Sequence, residues 1–93
     1  MKPGRKDDQG KPRLDLLPPE ATLLVGSVMG KGAEKYGDWN WTHIGEPKRY
    51  VAAALRHLMQ AQISENDEET GLPHLAHAAA SCLIALELSK ESK

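Results

Sequence analysis

Two histidines and a serine follow one face of the last apolar segment of the chain. His74, His77 and Ser81 are separated by three and four residues, which places their side chains on the same side of an α-helix. Imidazoles in such positions bind metal ions, donate to phosphates or act as acids and bases. Histidines at a helix interface that hydrogen-bond to carboxylates have the same spacing, so the pattern alone leaves both interpretations open.

A tyrosine and a histidine flank small residues in the preceding segment. Tyr50 and His57 lie on one helical line with Ala53 and Ala54 between them, so that the small side chains form a flat trough between two rings. A purine fits on such a trough, and Arg56 beside it fits a bidentate contact to a phosphate. The alternative is that the alanines admit a closely packed helix and that the arginine is solvated.

Four carboxylates lie between these two segments, in a charged turn that ends at Gly71. They belong to Glu65, Asp67, Glu68 and Glu69. Such a cluster is able to bind Mg²⁺, which takes oxygen ligands and shares them with phosphates. The alternative is that these acidic residues stabilise the helix that follows, because the helix dipole favours negative charge at a helix N-terminus. Thr70 is the expected N-cap of that helix.

Three helices are expected to position these groups. Prolines precede the first two, which are predicted over residues 20–36 and from Pro47 to about Ile63, and the third is predicted over 72–88. The third helix is apolar nearly all round and is therefore expected to be central and buried. Its leucine stripe, roughly opposite the histidines, consists of Leu72, Leu75, Ala79, Leu83 and Leu86. No long window alternates as a strand does, so the predicted fold class is all-α.

The loop over 37–47 and the glycines of the first helix indicate further packing. Trp39 and Trp41 carry too much apolar area to remain in water, so this loop is expected to be ordered and to fold onto the helices or another subunit. Glycines in a helix weaken it by roughly 1 kcal/mol each relative to alanine. We therefore expect either a close backbone neighbour or an early helix end at Gly26, Gly30 and Gly32.

The composition predicts a single domain that assembles into a homo-oligomer. The chain has 93 residues, no phenylalanine and only 4% aromatic residues, and alanine-rich faces bury little area, so the core of a monomer would be thin. Residues 1–13 are polar and basic and are expected to form a flexible N-terminal arm, which leaves 14–93 as one helical domain.

The charge balance and the apolar pattern exclude several partners. Twelve Lys and Arg against thirteen Asp and Glu give a formal net charge of −1, which lacks the positive excess that nucleic-acid polymers require. Cys82 is the single cysteine, and no apolar stretch approaches the ~20 residues of a membrane span. We therefore expect a cytoplasmic protein with no membrane partner.

Four stretches of the chain carry a resemblance to a known family. They read KPRLDLLPPEA at 11–21, GAEKYGDWNW at 32–41, YVAAALRH at 50–57 and ETGLPHLAHAA at 69–79. In order and spacing they resemble the phage dATP/dGTP diphosphohydrolases of MazZ type, over about residues 11–88. The resemblance implies an α-helical, MazG-related oligomer that cleaves purine deoxynucleoside triphosphates to monophosphate and pyrophosphate with a divalent metal, Mg²⁺ or Mn²⁺.

The resemblance also implies a set of site residues. The expected nucleotide-binding residues from its motifs are Lys11, Arg13, Lys35, Tyr36, Asn40, Trp41, His74 and His77. The alanine trough adds Tyr50 and Arg56 to that set. The expected catalytic residues are His57, Asp67 and Glu69, and the last two are also the expected metal ligands.

The chain departs from the wider MazG pattern in its metal-binding motifs. That superfamily holds Mg²⁺ with an ExxE pair on one helix and ExxD on the next, whereas histidines stand at the corresponding places here. Histidines suit a transition metal, or direct contact with phosphate, better than they suit Mg²⁺.

Three interpretations of function follow from this sequence. The first is an enzyme in which water, activated by metal or by a carboxylate of the 65–69 turn, attacks a phosphoryl group while Lys35, Arg56 and the histidines stabilise the leaving pyrophosphate. The second is a binding protein that sequesters a nucleotide without turnover, for example a cyclic nucleotide immune signal. The third is a structural helical oligomer without a ligand.

Overall fold

A computed structural model describes Gly4 and residues 9–91 of the chain. Its α-helices are α1 (Pro19–Tyr36), α2 (Pro47–Ala61) and α3 (His74–Glu91). Short 3₁₀ helices occupy Leu14–Leu16 and Asn40–His43. Over the described residues the chain forms no named strand and only an isolated bridge between Asn66 and Pro73. The predicted all-α fold class with three main helices is therefore confirmed.

Proline and glycine set most of the helix boundaries. Pro19 and Pro47 are the first residues of α1 and α2. Proline has no backbone N–H to donate, and no helical hydrogen bond is lost at this position because the first N–H groups of a helix have no partner within it. At the end of α1, Gly37 has a φ of 94° and its N–H donates to the Ala33 carbonyl at 2.7 Å. The ends of α2 and α3 differ from prediction: α2 stops at Ala61, and α3 runs over 74–91 instead of 72–88.

The charged turn before α3 is closed by its own backbone. The Asp67 N–H donates to the Leu72 carbonyl at 2.8 Å, and the Gly71 N–H donates to the Asp67 carbonyl at 2.7 Å. Gly71 has a φ of 75°, which glycine adopts without steric cost. Because this closed turn delays α3 until His74, the prediction that Thr70 is the helix N-cap is wrong.

α3 packs against both α2 and α1, so its central position agrees with the sequence prediction. The expectation that α3 is buried holds for only part of its surface, because Leu75, Leu83 and Leu86 are 63%, 57% and 56% exposed. The buried side chains are small and belong mainly to the opposite face, together with one histidine. They are Ala54, His74, Ala76, Ala78, Ala80, Ala85 and Leu88. Alanines let α2 and α3 approach closely, which turns the leucine stripe outward.

The single chain leaves much of its apolar surface open. Its radius of gyration is 16.5 Å, against about 12 Å for a compact domain of this length. Its accessible surface is 7752 Å², against roughly 5,300 Å² for a compact monomer of this mass. α1 has no buried residue. The thin core is as the composition predicts, and assembly into a homo-oligomer stays a prediction.

The glycines of α1 have no close neighbour within the chain. A Cβ added at Gly26, Gly30 or Gly32 meets nothing within 4 Å, and the helix continues past all three to Tyr36. The early helix end is therefore wrong, whereas close packing by another backbone finds no partner within the chain and stays a prediction. In the part of the chain that the structure describes, no helix combines the length and the apolar character needed to cross a membrane.

Candidate functional site

Three imidazoles from α2 and α3 meet at one point. The Nδ1 atoms of His57 and His74 lie 3.0 Å apart. The His57 ring stacks on the His77 ring, with 4.5 Å between ring centroids and 14° between ring planes. His74 is only 4% exposed, and the other two rings are half-buried. The three-residue spacing on α3 thus places His74 and His77 on one face, and α2 presents His57 to both.

The turn before α3 adds a carboxylate to the imidazoles. Asp67 Oδ2 accepts hydrogen bonds from the Thr70 N–H (2.9 Å) and the Thr70 hydroxyl (3.1 Å). The same hydroxyl lies 2.8 Å from His77 Nε2 and accepts from the Leu72 N–H at 3.2 Å. A hydroxyl has one proton to donate. With that proton directed to Asp67, the hydroxyl oxygen accepts from His77 Nε2.

Burial and neighbouring groups shift the pKa values of His57 and Asp67. Burial lowers the pKa of His57, and His77 and His74 lower it further. Burial raises the pKa of Asp67, but hydrogen bonds from Thr70 and the nearby His77 outweigh that effect, and the net shift of the pKa is downward. We call His57, Asp67, His74 and His77 the histidine–aspartate cluster. At neutral pH it presents an uncharged His57 and an ionised Asp67.

A polar pocket of about 650 Å³ opens beside this cluster. Its lining comes from α1, α2, the charged turn and α3, and includes Lys31, Lys35, His57, Asp67, Glu69, Thr70 and His77. Lys35 Nζ donates to Glu69 Oε2 at 2.9 Å, and this hydrogen bond is the main cause of the raised pKa of Lys35. The pocket therefore holds two ammonium groups, of Lys31 and Lys35, together with the three carboxylates of Glu34, Asp67 and Glu69.

An apolar pocket of about 510 Å³ lies between α1, α3 and the loop over 37–47, which carries Trp39 and Trp41. Its ring-bearing residues are Tyr36, Trp39, Trp41, Tyr50 and His77. The two tryptophan rings are tilted by 46°, with centroids 5.6 Å apart. Trp39 has a φ of 62°, a left-handed conformation that bulky residues rarely adopt, and its side chain is 69% exposed. Burial raises the pKa of Tyr50.

The two pockets are adjacent, since four residues line both, and we call the pair the cleft. Val28, Gly32, Tyr36 and His77 line both. One of the four is Gly32 of α1, which has no side chain, and a Cβ added to it would meet no other atom within 4 Å. The cleft thus has an aromatic half and a charged half, which meet at these four residues.

The structure brings together most of the sequence-predicted site residues. The polar half of the cleft contains Lys35, Tyr36, His57, Asp67, Glu69 and His77, and the apolar half contains Tyr36, Asn40, Trp41, Tyr50 and His77. His74 lies behind the polar half and lines a third cavity with Asp67.

Lys11, Arg13 and Arg56 are exposed and lie outside these three cavities. Arg13 pairs instead with Asp15 at 2.8 Å. The rest of the predicted flexible arm, residues 1–3 and 5–8, falls outside the described residues.

Sequence reasoning missed Thr70 as a site residue. Its hydroxyl connects Asp67 to His77, whereas the sequence interpretation assigned it to a helix cap. An aspartate three residues before a threonine in a Gly-containing turn is typical of a local side-chain to backbone hydrogen bond, and that signal was available. The apolar lining residues Val28, Ala80 and Ile84 carry no such signal.

The described residues define a small all-α domain with a two-part cleft beside a histidine–aspartate cluster. The chain belongs to the family described as dATP/dGTP diphosphohydrolase, N-terminal, which matches residues 1–93. It is 41% identical over 82 residues to a dATP/dGTP diphosphohydrolase of Salmonella phage PMBT28, which covers 87% of this chain and 28% of the relative. The chain thus spans little more than a quarter of that relative's length. No solved structure matches it.

Proposed function

We propose that this chain binds a purine deoxynucleoside triphosphate and hydrolyses it to the monophosphate and pyrophosphate. The observation that carries the proposal is the adjacency of an aromatic pocket and a charged pocket, which share Gly32 and His77 among their lining residues. A nucleotide has the same division into an apolar base and a polyanionic tail. The name of the phage relative, a dATP/dGTP diphosphohydrolase, supports this substrate class.

The apolar half suits a purine base. Its volume of about 510 Å³ falls in the range of ordinary ligand pockets, roughly 300–1,000 Å³. Trp41 and Tyr50 offer flat faces on which a base stacks, and Asn40 offers both a donor and an acceptor for base edges. Since the pKa of Tyr50 is raised, its hydroxyl stays protonated and available as a donor.

The polar half suits the triphosphate. Lys35 is held by Glu69 at the rim, and Lys31 lines the same pocket. Ammonium groups at these positions stabilise negative charge on a transferring phosphoryl group and its leaving group. With the base in the aromatic half, the sugar and α-phosphate fall at the junction, beside His77.

The cluster offers a proton acceptor next to that junction. In the proposed reaction a water oxygen attacks the α-phosphorus, a new P–O bond forms, and the bond from the α-phosphorus to the bridging oxygen breaks, so that pyrophosphate leaves with the electron pair. The proton of the water passes to His57, uncharged at neutral pH, or to the Asp67 carboxylate. Lys35 stabilises the charge on the departing pyrophosphate.

The donors of the histidine–aspartate cluster fit Mg²⁺ poorly. Mg²⁺ requires a near-octahedral set of oxygen ligands, whereas the cluster contributes one carboxylate and three imidazoles. The pocket also contains the carboxylates of Glu34 and Glu69, and Glu69, the second expected ligand, is 2.9 Å from Lys35 Nζ. Therefore no step of the proposed reaction is assigned to Mg²⁺.

Product analysis tests the proposal. The purified chain is incubated with dATP, dGTP or dTTP, with a chelator or with added divalent metals, and ³¹P NMR identifies the products. From dATP or dGTP we expect the purine deoxynucleoside monophosphate and pyrophosphate in equal amounts. His57→Gln is expected to lower the rate at least about 100-fold, the scale of general acid–base catalysis. His43→Gln is the matched control, because His43 is exposed and lies outside the cleft, and its rate should equal that of the wild type.

Two outcomes contradict the proposal. Recovery of intact dATP under every condition excludes hydrolysis. If that intact dATP is retained in stoichiometric amounts and released on denaturation, the sequestering interpretation replaces the enzymatic one.

A further inference from the structure

We propose that His57, His74 and Asp67 form a binding site for a first-row transition-metal ion of the Zn²⁺ type. The three residues come from α2, α3 and the charged turn, so that the fold itself assembles the site. The inference goes beyond nucleotide hydrolysis and does not depend on it, because the metal alone tests it.

The spacing of the donor atoms supports the site. One ligand atom from each of the three side chains lies within 4.8 Å of the others, and the two Nδ1 atoms are 3.0 Å apart. Two nitrogens at about 2.0–2.1 Å from one zinc ion are separated by about 2.9–3.4 Å for bond angles from roughly 90° to 109°. The imidazoles therefore already stand at the separation of two ligands of one ion, and only the carboxylate has to move closer.

The chemistry of the donor set selects the type of metal. Two imidazole nitrogens and one carboxylate oxygen are ligands of zinc and of other first-row transition ions, whereas Mg²⁺ and Ca²⁺ prefer oxygen alone. His74 is 4% exposed, so one ligand is shielded from water. Asp67 and His57 line the polar pocket, which gives an ion access and leaves its remaining coordination positions facing the cleft.

Neighbouring residues hold the ligands in orientation. Thr70 donates twice to Asp67 Oδ2, and the ring of His77 stacks on that of His57. Such outer partners fix the orientation of ligands and are a regular part of metal sites. An ion bound here would engage His57 and Asp67, the proton acceptors of the metal-free reaction proposed above, and would instead supply hydroxide near neutral pH by lowering the pKa of a bound water molecule.

A hydrogen bond between the two rings, without metal, is the competing explanation of the 3.0 Å separation. Ring NMR separates the two. The untagged, metal-stripped chain is labelled with ¹⁵N-histidine and titrated with Zn²⁺, and imidazole spectra are recorded. We expect the Nδ1 signals of His57 and His74 to shift together and to saturate at one equivalent, while the signals of exposed His43 stay unchanged.

Affinity measurements identify the third ligand. Zn²⁺ binding is measured by competition with a chromophoric chelator for variants whose helical content is checked by circular dichroism. Asp67→Asn preserves the shape of the side chain and is expected to weaken binding by more than about 100-fold, because loss of an outer partner alone weakens it about 10–100-fold. Thr70→Val should show that smaller loss. His43→Gln should bind as the wild type does.

Two results would overturn the proposal. One is a wild-type chain whose His57 and His74 Nδ1 signals do not respond to Zn²⁺. The other is equal Zn²⁺ affinity in the wild type and Asp67→Asn. The ring spectrum of the wild type decides the question even if a ligand variant fails to fold.

Discussion

Replacing Gly32 by alanine is expected to stabilise the fold and to weaken nucleotide binding. Gly32 lies inside α1, and an added Cβ meets nothing within 4 Å. Alanine in a helix interior is more stable than glycine by about 0.5–1 kcal/mol. For a domain of this size, that gain corresponds to a rise in melting temperature of about 2–8 °C.

The same methyl group enters the proposed binding cleft. Gly32 lines both halves of the cleft, at their junction, where the sugar and α-phosphate are expected. Inserting a methyl group into an occupied, well-packed space costs about 1–3 kcal/mol, which corresponds to a dissociation constant about 5- to 150-fold weaker. Stability and affinity should therefore move in opposite directions in one variant.

Gly26→Ala is the matched control. Gly26 lies in the same helix, its added Cβ also meets nothing within 4 Å, and it lines neither pocket. Calorimetric melting should show the same stabilisation as in Gly32→Ala, and isothermal titration with α,β-methylene dATP should show wild-type affinity. Equal affinity in the two variants would refute the placement of the nucleotide, and destabilisation by Gly26→Ala would place another backbone against α1.

Three further outcomes are expected. Trp41→Leu should weaken binding of α,β-methylene dATP by about 5- to 150-fold, the effect of removing one base–aromatic stack, and should leave binding of tripolyphosphate unchanged. The control Met59→Ala, at an exposed position, should bind the dATP analogue as the wild type does. An equal loss of tripolyphosphate binding in Trp41→Leu would contradict a base-stacking role. Light scattering on the purified chain should give the mass of a homo-oligomer, and a monodisperse monomer at micromolar concentration would exclude it. Burial lowers the pKa of His57 in the folded chain, so below about pH 6.5 the unfolded chain binds more protons than the folded chain, and the free energy of unfolding of the metal-free chain should fall as the pH drops. If the unfolding free energy of His57→Gln depends on pH in the same way, another group causes the effect.

The helices were predictable because local signals specify them. Pro47 and the apolar periodicity around it indicate where α2 begins, and Gly37 marks the end of α1. The three-residue spacing of His74 and His77 placed both rings on one face of α3, as the structure has them. These inferences depend only on backbone preferences and helical geometry, which a single sequence contains.

The assembly of the site depended on contacts that a single sequence does not specify. Lys35 and Glu69 are 34 positions apart, and only tertiary packing brings them together. The choice of the alanine face of α3 over its leucine stripe follows from how closely α2 approaches, which is a property of the pair of helices. The position of Asp67 depends on the turn that closes through Gly71, so its meeting with His57 was not apparent from spacing.

The structure of the chain in complex with α,β-methylene dATP tests the central claim most directly. The account predicts one nucleotide across the cleft, with the purine against Trp41 and Tyr50 and the phosphates within hydrogen-bond distance of Lys35 and His77. A nucleotide bound outside the cleft, or bound with its phosphates among the aromatic rings, would contradict it.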